Sequence, residues 1–162
     1  MRIQIKNYQS NYYKALADIF YLSVHRVDPQ IYNQAQQHAW AKQPIDYNFW
    51  KKRFEKTQPY CAFIKQQCVG FIELEENGHI DCTYIHPDYQ RQGVATQLYQ
   101  HIETIAVRNH CGSTKHNQTL CRSILDSKPL FKKLGFKTLN RNQIKRNEEV
   151  LINFSMEKEI GK

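Results

Sequence analysis

The sequence predicts an α+β domain of residues 1–162, built on one mixed, mainly antiparallel twisted sheet with helices on both faces. Three observations predict it. Residues 60–86 hold three strand-like segments in succession, joined by short polar turns, as in an antiparallel meander. Segments with helical apolar spacing lie before and after that meander. No internal repeat or low-complexity tract divides the chain, and 162 residues suit a single core.

Ile3 and Ile5 alternate with polar neighbours, predicting a strand over about residues 2–8. Tyr12, Leu16, Ile19, Phe20 and Val24 recur at helical spacing, with Asn11 or Ser10 as the cap. Asp28-Pro29 reads as a turn and helix start, giving a second helix over 30–41 that Pro44 breaks. Asp46 caps a third, Tyr47 to Glu55, with Phe49, Trp50 and Phe54 on its apolar side. Tyr60–Ile64 and Val69–Leu74 form a hairpin around Lys65-Gln66-Gln67, and the Asn77-Gly78 turn leads into a strand from His79 to His86. A helix over 93–109 buries Ala95, Leu98, Tyr99, Ile102, Ile105 and Ala106. A strand from Thr119 to Ile124, a short helix from Pro129 to Leu134 closed by Gly135, and strands over 136–144 and 149–157 complete the order.

Composition narrows the class. Hydrophobic residues at 41% and charged residues at 23% argue against disorder. The opening Met1–Lys6 alternates rather than forming an apolar run, and no stretch approaches the ~20 apolar residues of a membrane helix, so a cytoplasmic, membrane-free protein is expected. Five cysteines at irregular spacing read as reduced, mostly buried thiols. The net charge of +8 favours a polyanionic partner: nucleic acid, an acidic surface or a phosphorylated cofactor. No helix-turn-helix or RNA-recognition motif supports a dedicated nucleic-acid module.

The chemistry lies in residues 79–98. A strand ends at the Pro87 turn, and Gln90-Arg91-Gln92-Gly93-Val94-Ala95-Thr96 then opens directly onto a helix. Such a loop presents unpaired N–H groups at the positive end of a helix dipole, where phosphate is bound. Gly93 and the small Ala95 leave room for the anion, and Arg91 adds positive charge. The Gly-Lys-Ser/Thr ending of a Walker loop is absent.

Gln90 to Ala95 resembles the acetyl-CoA signature Gln/Arg-x-x-Gly-x-Gly/Ala of the Gcn5-related N-acetyltransferases (GNAT), and it follows the Ile85-His86-Pro87 turn usual in that family. Leu130-Phe131-Lys132-Lys133-Leu134-Gly135-Phe136 resembles the family's Phe-Tyr-x-x-x-Gly-Phe segment, and the predicted elements follow the family order. Ile5–Gln9, Ala39-Trp40-Ala41 and Ser127–Phe131 are similar to a bacterial YafP-like subgroup. The resemblance implies a GNAT fold and an enzyme moving an acetyl group from acetyl-CoA to an amine of a small molecule or polypeptide, as a monomer or homodimer. It implies that the amides of Arg91 to Thr96 bind pyrophosphate, with Gln90, Ser127 and Phe131 at the cofactor site. Backbone groups near Thr83, Tyr84 and Ile85 would pair with the pantetheine arm, and an amide there would stabilise the oxyanion.

Direct transfer needs a base to take the amine proton. His79, Asp81, Thr83 and Ile85 alternate along one strand and so are expected on one face. Asp81 is the first candidate, His79 the second and Glu73, on the adjacent strand, the third. The family's usual acid, a tyrosine, is replaced by Phe131, which cannot donate a proton. Tyr84, Ser127 or water could serve instead, or a thiolate of pKa roughly 8.5 could leave without a donor. A non-catalytic CoA-binding module and an acetyltransferase acting on aminoacyl-tRNA are the rival readings. His110, Cys111, His116 and Cys121 lack any regular metal-ligand spacing, so no metal is expected.

Overall fold

A computed structural model of the chain describes residues 2–110, 118–123 and 127–160. The first strand, β1 (Ile3–Asn7), forms one sheet edge and runs antiparallel to β2 (Tyr60–Ile64), with Ile5 opposite Ala62. β3 (Gln67–Leu74) and β4 (His79–Ile85) continue the antiparallel meander. β5 (Gln118–Ser123) joins β4 in parallel, and β6 (Lys137–Arg146) and β7 (Glu149–Glu159) close the order β1-β2-β3-β4-β5-β7-β6. The single parallel pairing is what the long helical crossover between β4 and β5 requires.

Among the described residues, five α-helices cover the two faces. α1 (Tyr13–His25) and α3 (Tyr47–Thr57) pack Leu16, Ile19 and Phe54 onto Cys61, Phe63 and Phe71. α4 (Val94–His110) packs Leu98 and Ile102 onto Val69, Ile72 and Ile80 on the other face, where α5 (Lys128–Lys133) adds Phe131. Fully buried side chains such as Leu16 and Phe54 each contribute about 1.5–3 kcal/mol through the water they exclude. α2 (Gln34–Trp40) is short and lies against β7 through Gln36, whose amide donates to the Val150 carbonyl at 2.8 Å.

Two local expectations are corrected. The Asp28 segment folds as a turn, its Oδ1 accepting from Gln30 N, and α2 starts at Gln34 rather than at residue 30. The stronger start signal is the reciprocal box between Asn33 and Gln36, in which each side chain bonds the other's backbone N–H. α1 has no side-chain cap; a 3-10 turn over Ser10–Tyr12 leads into it instead. The expected Asp46 cap forms, with Oδ1 accepting from Phe49 N at 2.9 Å. Cys61, Cys68, Cys82 and Cys121 are free thiols. Cys111, His116 and Ile124 lie outside the described residues. Among those described, no helix is long and apolar enough to cross a membrane.

Candidate functional site

The site begins where the sheet comes apart. β4 and β5 pair only at His79–Leu120 and Ile80–Cys121, whereas β4 stays paired with β3 through Ile85. From Thr83 onward one edge of β4 therefore has no strand partner among the described residues. Backbone direction alternates along a strand. His86 N donates to Val69 O on the β3 side, so Ile85 and Thr83 turn their backbone groups toward the opening. The Ile85 carbonyl is held there by Ser23 Oγ at 2.8 Å and Gln90 Nε2 at 3.2 Å. Thr83 Oγ1 is buried without a hydrogen-bond partner among the described residues, a polar atom still able to bond a ligand.

A built loop follows. A 3-10 turn over Pro87–Tyr89 is fastened by His86 Nδ1, which accepts from Asp88 N, and by Gln92 Nε2, which donates to Asp88 O at 2.8 Å. Arg91 and Gly93 both take left-handed backbone, with φ of 58° and 84°. Gly93 is required by that φ rather than by crowding, because a Cβ added there would meet no protein atom within 4 Å. The space above it is open. Gln97 N makes the first helical bond, to Gly93 O at 3.0 Å, leaving the amides of Val94, Ala95 and Thr96 without helical acceptors. No acidic side chain stands in the first turn of α4. Free donors, open space and the neighbouring Arg91 charge fit a diphosphate.

A cleft of about 1820 Å³ runs from this loop along the splayed strand to α1–α3 and the β6–β7 turn. All the predicted cofactor residues except Gln92 line it, including Ser127 and Phe131. Gln92 instead ties down the loop. Phe131 is buried edge-on against Phe136, ring centroids 5.3 Å apart, and presents no hydroxyl. Tyr84 also lines the cleft, with Phe20 packed on its ring. Burial, reinforced by nearby Cys82, pushes the Tyr84 hydroxyl well above its ordinary range, so it stays protonated.

The three base candidates separate. Only Asp81 lines the cleft. His79 Nδ1 lies 3.3 Å from Glu75 Oε2. Glu73 is buried, taking Thr57 Oγ1 at 2.9 Å and Arg53 Nη2 at 2.6 Å. The expected alternation through Asp81 and Thr83 is interrupted, because Ile72 pairs with Thr83 but Leu74 pairs with Ile80. Asp81 and Cys82 thus stand together opposite Glu73 as a β-bulge, which re-aims Asp81 toward α3. Arg53 Nη2 donates to Asp81 Oδ2 at 2.5 Å and to Cys82 Sγ at 3.4 Å as well as to Glu73. Those three acceptors converge closely enough to suit a cation, and the guanidinium is the cation they hold. Burial opposes the Arg53 charge, but the Glu73 bond and the neighbouring charges outweigh it and raise its pKa further. Burial, with Glu73 beside it, pushes the Cys82 thiol well above its usual value, which removes it as a thiolate nucleophile. In the sequence Arg53 is the last of three consecutive cations, Lys51-Lys52-Arg53, and nothing local marks it as a site residue.

An unpaired start of α4 at the mouth of a V between the parallel strands β4 and β5 is what the sequence resemblance to the acetyltransferases implies. The chain belongs to that family: the family model described as an acetyltransferase (GNAT) domain matches residues 28–160. It is an N-acetyltransferase that draws on acetyl-CoA. It is 31% identical over 154 residues to an uncharacterized N-acetyltransferase, YafP, of Escherichia coli (strain K12), covering 95% of this chain and 94% of that one. The GCN5-related N-acetyltransferase of Rhodopseudomonas palustris superposes with a TM-score of 0.89 at 26% identity, over 99% and 97% of the two chains. The PaiA N-acetyltransferase of Thermoplasma acidophilum, solved with coenzyme A, shares the fold at a TM-score of 0.74 and 17% identity, over 98% and 99%.

Proposed function

We propose that the chain passes the acetyl group of acetyl-CoA directly to the amine of a small molecule or polypeptide, with Asp81 as the base. Acetyl-CoA supplies the activated thioester. Arg91 and the amides of Val94, Ala95 and Thr96 hold its pyrophosphate, and the free β4 edge at Thr83 and Ile85 pairs with the pantetheine arm. The observation that carries this reading is that one cleft connects the unpaired start of α4 to Asp81.

Asp81 Oδ2 is held by Arg53, and Oδ1 has no hydrogen bond among the described residues. That oxygen takes the amine proton, directly or through one water, as the nitrogen bonds to the acyl carbon and the carbon–sulfur bond breaks. No side chain is assigned as proton donor to sulfur, since a thiol of pKa roughly 8.5 leaves acceptably as its anion.

Asp81→Asn keeps a side chain that can accept from Arg53 but removes the base. It is expected to lower kcat/KM by about 10²-fold, with acetyl-CoA affinity by calorimetry unchanged. Full activity in that variant would strike Asp81 from the mechanism. A folded chain that binds acetyl-CoA yet acetylates no amine in a broad panel would be a binding module instead.

A further inference from the structure

The part of the cleft framed by α1–α3 and the β6–β7 turn carries charge that the transfer chemistry leaves unused. Among the described residues three carboxylates line it, and each holds a hydrogen bond through one oxygen. Asp28 Oδ1 accepts from Gln30 N at 2.9 Å, Asp46 Oδ1 caps α3, and Asp81 is bound by Arg53. Arg53 in turn is neutralised by Asp81 and the buried Glu73. Arg26 and Lys42 on the helical wall, and Lys145 and Arg146 on the strand wall, also line the cleft. None of these four forms an ion pair among the described residues.

Arg146 is the best placed. It is the last residue of β6, followed by a tight turn in which Asn147 and Glu148 both take positive φ, 48° and 68°. Glu149 is its register partner across the hairpin, yet no salt bridge joins them. Arg146 lines the same cleft as Asp81 and Tyr84. Asn153 lines the same wall, its Oδ1 occupied by Asn142 Nδ2 at 3.0 Å, which leaves its own amide as a donor.

An amine arrives largely as an ammonium, and uncompensated cations repel it. Among the described residues the cations at this end outnumber the carboxylates, and an anionic group on the acceptor would match that excess. The geometry points to an acceptor amine that carries its own anionic group, carboxylate or phosphate, which Arg146 binds while the amine reaches Asp81. A guanidinium fork suits either anion, because both present two oxygens in one plane. This inference rests on the N-acetyltransferase reading and adds the substrate class to it.

The test uses amines matched in chain length and bearing a carboxylate, a phosphate or a neutral carboxamide, kept several methylenes from the nitrogen. One of the anionic members is expected to exceed the carboxamide in kcat/KM by about tenfold, and which one does so identifies the anion. Arg146→Gln is expected to erase most of that margin through KM, and calorimetry with the N-acetylated products should show the same loss of anion preference. Equal or better turnover of the carboxamide would overturn the inference while leaving the transferase reading intact. So would an Arg146→Gln variant that binds acetyl-CoA and still prefers the anion. If acetyl-CoA binds and no amine in the panel is acetylated, the transferase reading fails and takes this inference with it.

Discussion

The two ends of the cleft expose different parts of the chain. At the α4 end the groups on offer are backbone amides, those of Val94, Ala95 and Thr96, set by the left-handed φ of Arg91 and Gly93. At the other end they are side chains: Asp81 from a bulge, Arg53 from a helix and Arg146 from a hairpin line the same cleft. A backbone site tolerates many side chains and recognises one shape of anion. A side-chain site can be respecified one residue at a time. The cofactor end can therefore be common to many acetyltransferases, while the acceptor end belongs to each.

The largest expected effect lies at the side-chain end, where a deletion leaves a buried charge behind. Arg53→Met strips the partner from Glu73, which is 2% exposed, and removes the donor that aims Asp81. The cost of breaking such a pair is about 3–5 kcal/mol, read as a fall in the denaturant midpoint. Adding Glu73→Gln to Arg53→Met should restore much of the stability, since the orphaned charge is gone and Thr57 Oγ1 can still donate at that position. It should not restore turnover, because Asp81 remains unaimed. If Arg53→Met alone is as stable as the parent, the pair contributes nothing to the fold.

A smaller effect is expected at the backbone end, where the lever is occupancy rather than deletion. Thr96→Glu places a carboxylate in the first turn of α4, among the amides assigned to the pyrophosphate. Glutamate is favoured there by the helix dipole, so the melting temperature should hold or rise slightly. Acetyl-CoA affinity should fall by about 100-fold, equivalent to roughly 2.7 kcal/mol. Unchanged affinity would show that the diphosphate sits elsewhere. The contrast is diagnostic: Arg53→Met fails by losing stability, Thr96→Glu by losing ligand at full stability.

That contrast also explains which parts could be read from the sequence. The α4 loop was legible because a backbone site leaves its mark in adjacent residues, a Gly where φ is positive and small residues beside it. The order of elements along the chain and the Asp46 cap were legible for a similar reason, since periodicity and capping are local. Arg53 was not legible. Its partners Glu73 and Asp81 stand 20 and 28 residues away, and only the packing of α3 on the sheet brings them together. The bulge at Asp81–Cys82 was hidden because it exists in the pairing of two strands, not in either strand alone. The start of α2 was written in the sequence as Asn33-x-x-Gln36, but Asp28-Pro29 supplied a nearer start signal that the fold uses as a turn.

The smallest effect tests whether the acceptor wall is held as rigidly as its chemistry requires. Tyr32 is buried between Val27 and Leu151, and its hydroxyl donates to the Ile152 carbonyl of β7, fastening the segment between α1 and α2 to the sheet. Gln37 adds to the fastening, its amide reaching Val27 O at 2.8 Å and Tyr32 O at 2.9 Å. Tyr32→Phe leaves that carbonyl short of a donor, at a cost of about 1 kcal/mol and a drop of about 2–4 °C in melting temperature near neutral pH. Burial pushes the Tyr32 pKa up to about 12 from its ordinary 10. The neutral hydroxyl is thus favoured in the folded state, and its contribution is whole below pH 10 and fades as pH rises toward 12. The gap between parent and variant should accordingly close across that window. A gap that stays constant through pH 12 would mean the hydroxyl is not what fastens the wall. Weaker acceptor binding in the variant at unchanged acetyl-CoA affinity would place the fastening on the acceptor side alone.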